Sequence, residues 1–262
     1  MHDPYLSVVV PCYNEAENLQ RGVLSEIYEY LRRQDYPYEV VVSDDGSTDE
    51  SRELVCAWIA DKPAFRLVEN PHGGKPSAVW GGLQAARGEI VLFTDMDQST
   101  PIDQVARLLP RFEEGYQVVI GSRGRARRDF PLYRRMGSAV FGAFRRLLLL
   151  HDIQDTQCGF KALRTEVALR LFPKLEAIAS PQATTGWKVT AFDVELLYLA
   201  ERVGLPIAEV EVEWADRDVS RGKGKSYWKE SKEMAEQVWR IKRNEWQGLY
   251  RSEGGPCESR KR

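Results

Sequence analysis

Short apolar runs that each stop at a polar, mostly acidic cluster constrain this chain more than any other feature. Leu6 to Val10 runs into Pro11-Cys12-Tyr13-Asn14-Glu15, and Glu39 to Ser43 ends at Asp44-Asp45-Gly46. Phe65 to Glu69 is a shorter run, Glu89 to Thr94 ends at Asp95, and Gln117 to Ile120 ends at Gly121-Ser122. Helical spacing of apolar residues fills the gaps, near 15–33, 50–60, 76–87 and 102–114. Continuous Val- and Ile-rich runs separated by helices predict a mostly parallel central sheet flanked by helices, an α/β fold. In open sheets of this class the ligand crevice lies outside the carboxyl ends of the strands. The three polar clusters at 13–15, 44–47 and 95–97 are therefore expected to converge.

The second half reads differently. Helical patterns are predicted near 132–150, 165–172 and 192–203, with a polar loop near 177–190 and a strand from Ile207 to Trp214. A Gly/Lys-rich stretch, Ser220 to Ser226, leads to a last helix near 227–246, and the residues from about Ser252 read as disordered. No repeat or interdomain linker is visible, so the 262 residues read as one large domain over 1–251 with a tail at 252–262. Formal charge is only −2, which gives no global signal for nucleic acid. The charge is uneven, with basic stretches from Arg123 to Arg146 and after Lys223, and such stretches suit a phosphate or a lipid headgroup surface. No apolar run approaches the roughly 20 residues of a spanning helix, and Leu6 to Val10 is too short for a leader peptide. The expectation is a cytoplasmic protein, soluble or peripheral on a membrane face. The four cysteines and three histidines show no metal-ligand spacing.

Asp95-Met96-Asp97 is the sharpest chemical signal. Carboxylates two residues apart can share one hard cation, Mg²⁺ or Mn²⁺, together with diphosphate oxygens. A departing nucleoside diphosphate develops negative charge that such a cation neutralises. Two solvated turn aspartates are the plain alternative. At the end of Glu39 to Ser43, one aspartate of the pair Asp44-Asp45 can accept a hydrogen bond from a nucleobase or ribose, Gly46 permits a tight turn, and Ser47 to Glu50 supplies helix-capping chemistry. Tyr13 could stack on a base, although a plain strand-to-helix turn is the better explanation of that segment. His72-Gly73-Gly74-Lys75-Pro76 lacks P-loop spacing but can carry one lysine toward a diphosphate.

Together these clusters resemble family 2 glycosyltransferases of the GT-A fold. The likeness rests on Pro11-x-Tyr13-Asn14-Glu15, Asp44-Asp45-Gly46-Ser47, Gly74-Lys75 before a helix, and Asp95-x-Asp97. It implies a nucleotide-sugar site in which Asp44 contacts the base and Lys75 lies near the nucleotide. Pro11, Tyr13, Glu15, Asp95 and Met96 would complete that site, with Asp95 and Asp97 holding Mg²⁺ or Mn²⁺. It also divides the domain into a donor-binding half, 1–122, and an acceptor half, 123–251. Further on, Gly121-Ser122-Arg123, Arg134 with Ser138, and Asp155 to Lys161 look like the polyprenyl-phosphate sugar transferases. Asp155 to Lys161 and Ala191 to Leu196 are most similar to the dolichyl-phosphate β-glucosyltransferase group, which implies UDP-glucose as donor and a dolichyl or other polyprenyl phosphate as acceptor. Mannosyl members of the wider group carry Gln where this chain has Ser99, which leaves the third protein ligand open here, with water able to replace it.

The residues also make independent sense of such an acceptor. On a helix starting at Leu132, Met136, Ala139, Val140, Ala143 and Leu147 share one stripe with Leu132, and Arg134, Arg135, Ser138, Arg145 and Arg146 fall opposite. That helix can lie on a membrane, or pack on the core with solvated arginines. Arg134 and Ser138, four apart, can hold one phosphate, with Arg123 completing the grip. A lipid phosphate is already an anionic nucleophile, so no general base is required, and attack opposite the leaving diphosphate inverts the anomeric carbon. Asp97, Arg123 and Arg134 are then the expected catalytic residues. Asp193 and Glu195 fit either the acceptor side or a structural role. In the last helix Trp228, Ala235, Trp239 and Trp246 share a stripe that suits docking on the domain or a bilayer interface. Rival readings are a transferase using another nucleotide sugar or a soluble acceptor, and a non-catalytic nucleotide-sugar-binding protein.

Overall fold

The computed structural model describes residues 3–124, 153–179, 192–217, 236 and 239–250. Seven strands form one sheet: β1 (Leu6–Cys12), β2 (Tyr38–Asp44), β3 (Phe65–Glu69), β4 (Ile90–Phe93), β5 (Val118–Ser122), β6 (Lys161–Arg164) and β7 (Ile207–Glu211). Their spatial order is β3-β2-β1-β4-β6-β5-β7. Strand β6 runs antiparallel to β4 and β5, and the other pairings are parallel.

The apolar runs are continuous because both faces of the sheet are covered. Val9, Val41 and Val91 enter one core with Val79, Leu83 and Leu197. Their neighbours Val8, Val10, Val40 and Val42 enter a second core with Leu24, Ile27 and Leu108 on the opposite face. The register Val8↔Val40, Val9↔Val41, Val10↔Val42 keeps the two sets apart. Around the sheet lie α1 (Ala16–Gln20), α2 (Val23–Leu31), α3 (Ser51–Ile59), α4 (Lys75–Ala85), α5 (Val105–Leu108) and α6 (Pro110–Glu113). Then follow α7 (Thr165–Leu171), α8 (Glu176–Ala179) and α9 (Phe192–Arg202).

The helix expected over 15–33 is two helices. Gly22 sits between them at φ +91°, a conformation that glycine adopts freely and that ends the first turn set. The stretch 102–114 is likewise divided, since Pro110 begins a new short helix. β6 was not expected. Its four residues, Lys-Ala-Leu-Arg, show no apolar run, and the strand exists only because β4 and β5 supply both neighbours.

Strand order fixes where the site is. From β1 the chain steps to β2 and β3 on one side, while β4 lies on the other, so β1 and β4 flank a topological switch point. The carboxyl ends of β1, β2, β4 and β5, and the start of antiparallel β6, all lie along one edge. Residues 13–15, 44–47, 95–97, 123 and 155–161 are therefore neighbours of that edge.

Candidate active site

The first two motifs are stitched together by hydrogen bonds. Asn14, held at φ +54°, accepts from the Thr48 and Asp49 N–H groups through Oδ1, at 2.8 and 3.3 Å. Its own N–H donates to Ser47 Oγ (3.0 Å), and Glu15 N–H donates to Ser51 Oγ (2.8 Å). Glu15 accepts from Asn18 Nδ2. Pro11 is buried as the penultimate residue of β1. The Tyr13 ring stacks on His72, with centroids 4.5 Å apart and planes 23° apart.

The paired aspartates after β2 have different tasks. Asp45 is fully buried, and its carboxylate accepts from the Gly73 and Gly74 N–H groups at 2.9 and 2.8 Å. His72 Nδ1 lies 2.8 Å from the same carboxylate. Burial pushes the Asp45 carboxyl up, against the pull of these donors. Asp45 thus holds the glycine loop that presents Lys75 at the start of α4. Asp44 Oδ2 accepts from the Gly46 and Ser47 N–H groups, at 2.9 and 3.0 Å, which closes the turn. Asp44 Oδ1 is buried and has no hydrogen-bond partner among the described residues. An unmet buried acceptor costs about 1–3 kcal/mol, so this oxygen is poised for a donor from a ligand.

At the end of β4, Lys75 Nζ donates to Asp95 Oδ1. Burial acts to lower the Lys75 ammonium, but Asp95, Asp193 and Asp97 outweigh it and lift it to about 12. Because Asp45 holds Gly73 and Gly74, Lys75 links the cluster after β2 to Asp95 at the end of β4. The Asp97 carboxylate is oriented by Ser99, whose N–H donates to Oδ1 and whose hydroxyl donates to Oδ2, each at 2.8 Å. Gln98, at φ +50°, donates to the Asp95 carbonyl (2.9 Å). Asn14 and Gln98 are the non-glycine residues with positive φ among those described, one in each motif loop. Met96 points into the second core, where it is 2% exposed.

A strap from β7 braces this loop. Arg217 N–H donates to Ser99 Oγ (3.2 Å), and Ala215 N–H donates to the Ser99 carbonyl (2.9 Å). Arg21 bridges the carbonyls of Asp97 (2.6 Å) and Arg217 (2.5 Å). On the other side Gly159 packs against Asp95 so closely that a Cβ there would lie 2.1 Å from Asp95 Oδ2.

Arg123 follows β5 and forms a two-pronged pair with Asp155, Nε to Oδ2 at 2.8 Å and Nη2 to Oδ1 at 2.9 Å. Its guanidinium also lies 5.7 Å from the Trp214 ring centroid. Arg134, Ser138, the predicted amphipathic helix at 132–150, the stretch 220–226 and the tail at 252–262 fall outside the described residues. Asp193, in the first turn of α9, pairs with the fully buried Lys161 at 2.7 Å. Glu195 Oε1 accepts from Tyr250 Oη (2.7 Å) and from the Glu176 N–H (3.0 Å), and burial raises its carboxyl to about 7. Glu195 therefore serves packing of the C-terminal segment.

Among the described residues no group of three His, Cys, Asp or Glu side chains could hold a metal. The two-carboxylate set of Asp95 and Asp97 still fits a hard divalent cation, because Mg²⁺ and Mn²⁺ sites of this kind complete their shells with phosphate oxygens and water. Sequence reasoning missed Asp45, Gln98, Ser99 and Gly159 as organisers of the site. The available signals were the acidic doublet and the polar run Gln98-Ser99-Thr100 directly after the metal-type pair.

A seven-stranded, mostly parallel sheet with a topological switch point and an Asp-x-Asp at its rim is the architecture of the GT-A fold. The family described as Glycosyl transferase family 2 matches residues 7–172, and the chain belongs to that family; it is a glycosyltransferase. The dolichyl-phosphate beta-glucosyltransferase of Dictyostelium discoideum is 35% identical over 236 residues, covering 83% of this chain and 68% of the relative. Its Homo sapiens counterpart is 33% identical over 236 residues, covering 82% and 69%. Glucosyl-3-phosphoglycerate synthase from Mycobacterium tuberculosis, in complex with Mn²⁺, UDP and glucosyl-3-phosphoglycerate, superposes with a TM-score of 0.59 at 23% identity, covering 91% of this chain and 78% of that one. The mannosyltransferase PcManGT from Pyrobaculum calidifontis, in complex with GDP-Man and Mn²⁺, gives 0.57 at 24% identity, covering 98% and 67%. These two establish the GT-A fold. Among the described residues no helix is long and apolar enough to cross a membrane.

Proposed function

We propose that this chain transfers glucose from UDP-glucose to a polyprenyl or dolichyl phosphate, with inversion at the anomeric carbon, at the cytoplasmic face of a membrane. The observation that carries the donor half of the reading is the buried, unpartnered Asp44 Oδ1 on the same sheet edge as Asp95 and Asp97. A buried acceptor suits the imide N–H of uracil, and the carboxylate pair suits the diphosphate end of the same molecule. The identity of sugar and acceptor is supported by the relatives at 35% and 33% identity.

In this reading Asp44 accepts from the base while Tyr13, already stacked on His72, forms one wall of the nucleotide pocket beside Pro11 and Glu15. Asp95 and Asp97 would hold Mg²⁺ or Mn²⁺, which when bound neutralises charge on the leaving diphosphate. Lys75 adds a second fixed cation at that point. A phosphate oxygen of the lipid attacks C1 of glucose as the C1–O bond to the β-phosphate breaks, and UDP leaves with the bonding pair. The attacking oxygen is anionic, so no proton need be removed. Asp193, already paired with Lys161, is not needed as a base. Arg123 uses Nε and Nη2 to hold Asp155, so its part is to position the segment that begins at Asp155, with Nη1 outside that pair. Arg134 and Ser138 are proposed to grip the lipid phosphate.

The test is transfer of label from UDP-glucose to a short polyprenyl phosphate with Mg²⁺ or Mn²⁺, run beside Asp97→Ala and Arg134→Ala. Label in the organic phase with the parent protein, lost in Asp97→Ala, is the expected result. Transfer only from GDP-mannose or another nucleotide sugar would overturn the glucose assignment. Transfer only to water-soluble acceptors would overturn the lipid assignment.

A further inference from the structure

The most exposed apolar side chains among the described residues gather at the C-terminal end. Trp239, Trp246 and Leu249 are 52%, 65% and 65% exposed. The two indoles meet edge to face, with centroids 5.5 Å apart. Arg243 lies between them in the helical residues 239–246, and Trp239, Arg243 and Trp246 occupy positions i, i+4 and i+7 of one outward face. The opposite face holds the segment on the domain. Ile241, Asn244 and Tyr250 are buried, Asn244 Nδ2 donates to Glu176 Oε2 (3.1 Å), and Tyr250 Oη donates to Glu195 Oε1 (2.7 Å). The tryptophan stripe expected to suit either docking or a bilayer is thus turned outward at both positions the structure describes.

We infer that Trp239, Arg243, Trp246 and Leu249 form a surface that seats the enzyme on an anionic lipid bilayer; the choice of a lipid occupant draws on the lipid-phosphate acceptor proposed above. The chemistry of the face favours that occupant over protein. Indoles prefer the headgroup boundary, where the ring is buried and the N–H stays wet. Arg243 supplies a cation on the face itself, while Arg240 and Lys242 flank it and pair with Glu176 (3.7 Å) and Glu245 (2.6 Å); three cations against the carboxylates Glu236 and Glu245 leave the described segment net positive. A face with net positive charge and isolated aromatic wedges complements anionic headgroups. Three apolar side chains broken by Arg243 and Gln247 fall well short of the roughly 800 Å² per partner of a stable protein interface. The opposite face, with Ile241, Asn244 and Tyr250 buried and hydrogen bonds to Glu176 and Glu195, anchors the segment to the domain with the indoles turned outward.

The experiment compares the full chain with Trp239→Ser/Trp246→Ser and with Arg243→Glu, by sedimentation with vesicles of phosphatidylcholine alone or mixed with phosphatidylglycerol. Matching thermal unfolding of all three proteins establishes that the fold is unchanged. The double variant should bind mixed vesicles at least about tenfold more weakly, and Arg243→Glu should lose mainly the preference for phosphatidylglycerol. Transfer to a short acceptor in detergent should be unchanged in the double variant, while transfer to a long-chain acceptor embedded in vesicles should fall with binding. Equal sedimentation of parent and double variant would overturn the inference. So would a parent dimer that the double variant converts to monomer, since the face would then belong to a second copy. Vesicle binding that depends on the tryptophans, with no polyprenyl phosphate labelled from any donor, would leave this surface standing and remove the lipid-acceptor reading alone.

Discussion

Ser99→Ala tests the site at its least obvious point. The Ser99 hydroxyl donates to Asp97 Oδ2 at 2.8 Å and accepts from the Arg217 N–H at 3.2 Å. Ser99 is only 6% exposed, so water has little access to replace the lost group. A hydrogen bond to a charged acceptor contributes about 1.5–3 kcal/mol, but Asp97 is half-buried and keeps the Ser99 N–H bond to Oδ1. A net loss of about 1–2 kcal/mol in holding Asp97 in place is the resulting figure, equivalent to roughly 5- to 30-fold in binding. The expected outcome is a UDP–Mn²⁺ dissociation constant raised by that factor in calorimetric titration. The metal concentration for half-maximal transfer should rise in parallel, with kcat at saturating metal nearly intact. Ser99→Thr keeps the hydroxyl and should restore most of the loss. Unchanged metal dependence would refute the assignment of Ser99 to Asp97. Tighter metal binding in Ser99→Ala would mean that the hydroxyl competes with the cation for the carboxylate, which reverses the argument.

Other substitutions probe different parts of the same reasoning. Gly159→Ala places a methyl 2.1 Å from Asp95 Oδ2, so it should displace that carboxylate and lower transfer at least about tenfold while thermal stability stays close to the parent. Parent-like metal dependence would show that Asp95 does not need its observed position. Lys161 and Asp193 form a buried pair, so either Lys161→Met or Asp193→Leu should cost about 3–5 kcal/mol in denaturant unfolding. The double substitution should cost less than either alone, and additive losses would exclude mutual neutralisation. Glu195, with its carboxyl raised to about 7 by burial, favours the protonated form in the folded state. The unfolded chain therefore binds fewer protons between its ordinary value near 4.5 and about 7, and stability must fall as pH rises through that window. Glu195→Gln keeps an oxygen acceptor for Tyr250 and Glu176 and lacks the charge, so it should match the parent near pH 5 and unfold several degrees higher near pH 8. Equal midpoints at both pH values would show that Glu195 does not titrate in this window.

What the sequence disclosed followed from where its information is local. β1, β2 and β4 are continuous apolar runs because two cores need alternate residues of the same strand, and that demand is written residue by residue. The general rule about strand ends places the polar clusters together; Asn14 bonds Ser47 and Thr48, and the glycine loop held by Asp45 brings Lys75 to Asp95. β6 carries no such mark. Lys161 heads a strand and is fully buried, which no pattern of hydropathy would suggest, because Asp193 of α9 reaches it from 32 residues away in the chain.

The same distinction separates Asp44 from Asp45. On the sequence they are equivalent members of an acidic doublet, and either is suited to meet a ligand. The fold assigns them by giving Asp45 the two loop N–H groups of Gly73 and Gly74, 28 and 29 residues further on, while leaving one oxygen of Asp44 unmet. The division depends on β3 delivering the glycine loop beside β2, a fact of strand order and not of composition. Ser99 obeys the same logic. On the sequence its place two residues beyond Asp97 reads, by resemblance, as the site of a lost ligand. Its contacts show a different use of the position: a short hydroxyl can turn back onto Asp97 and receive the strap from β7 at once. Position 99, which looked like a missing metal ligand, is occupied here by a brace between Asp97 and the strap from β7.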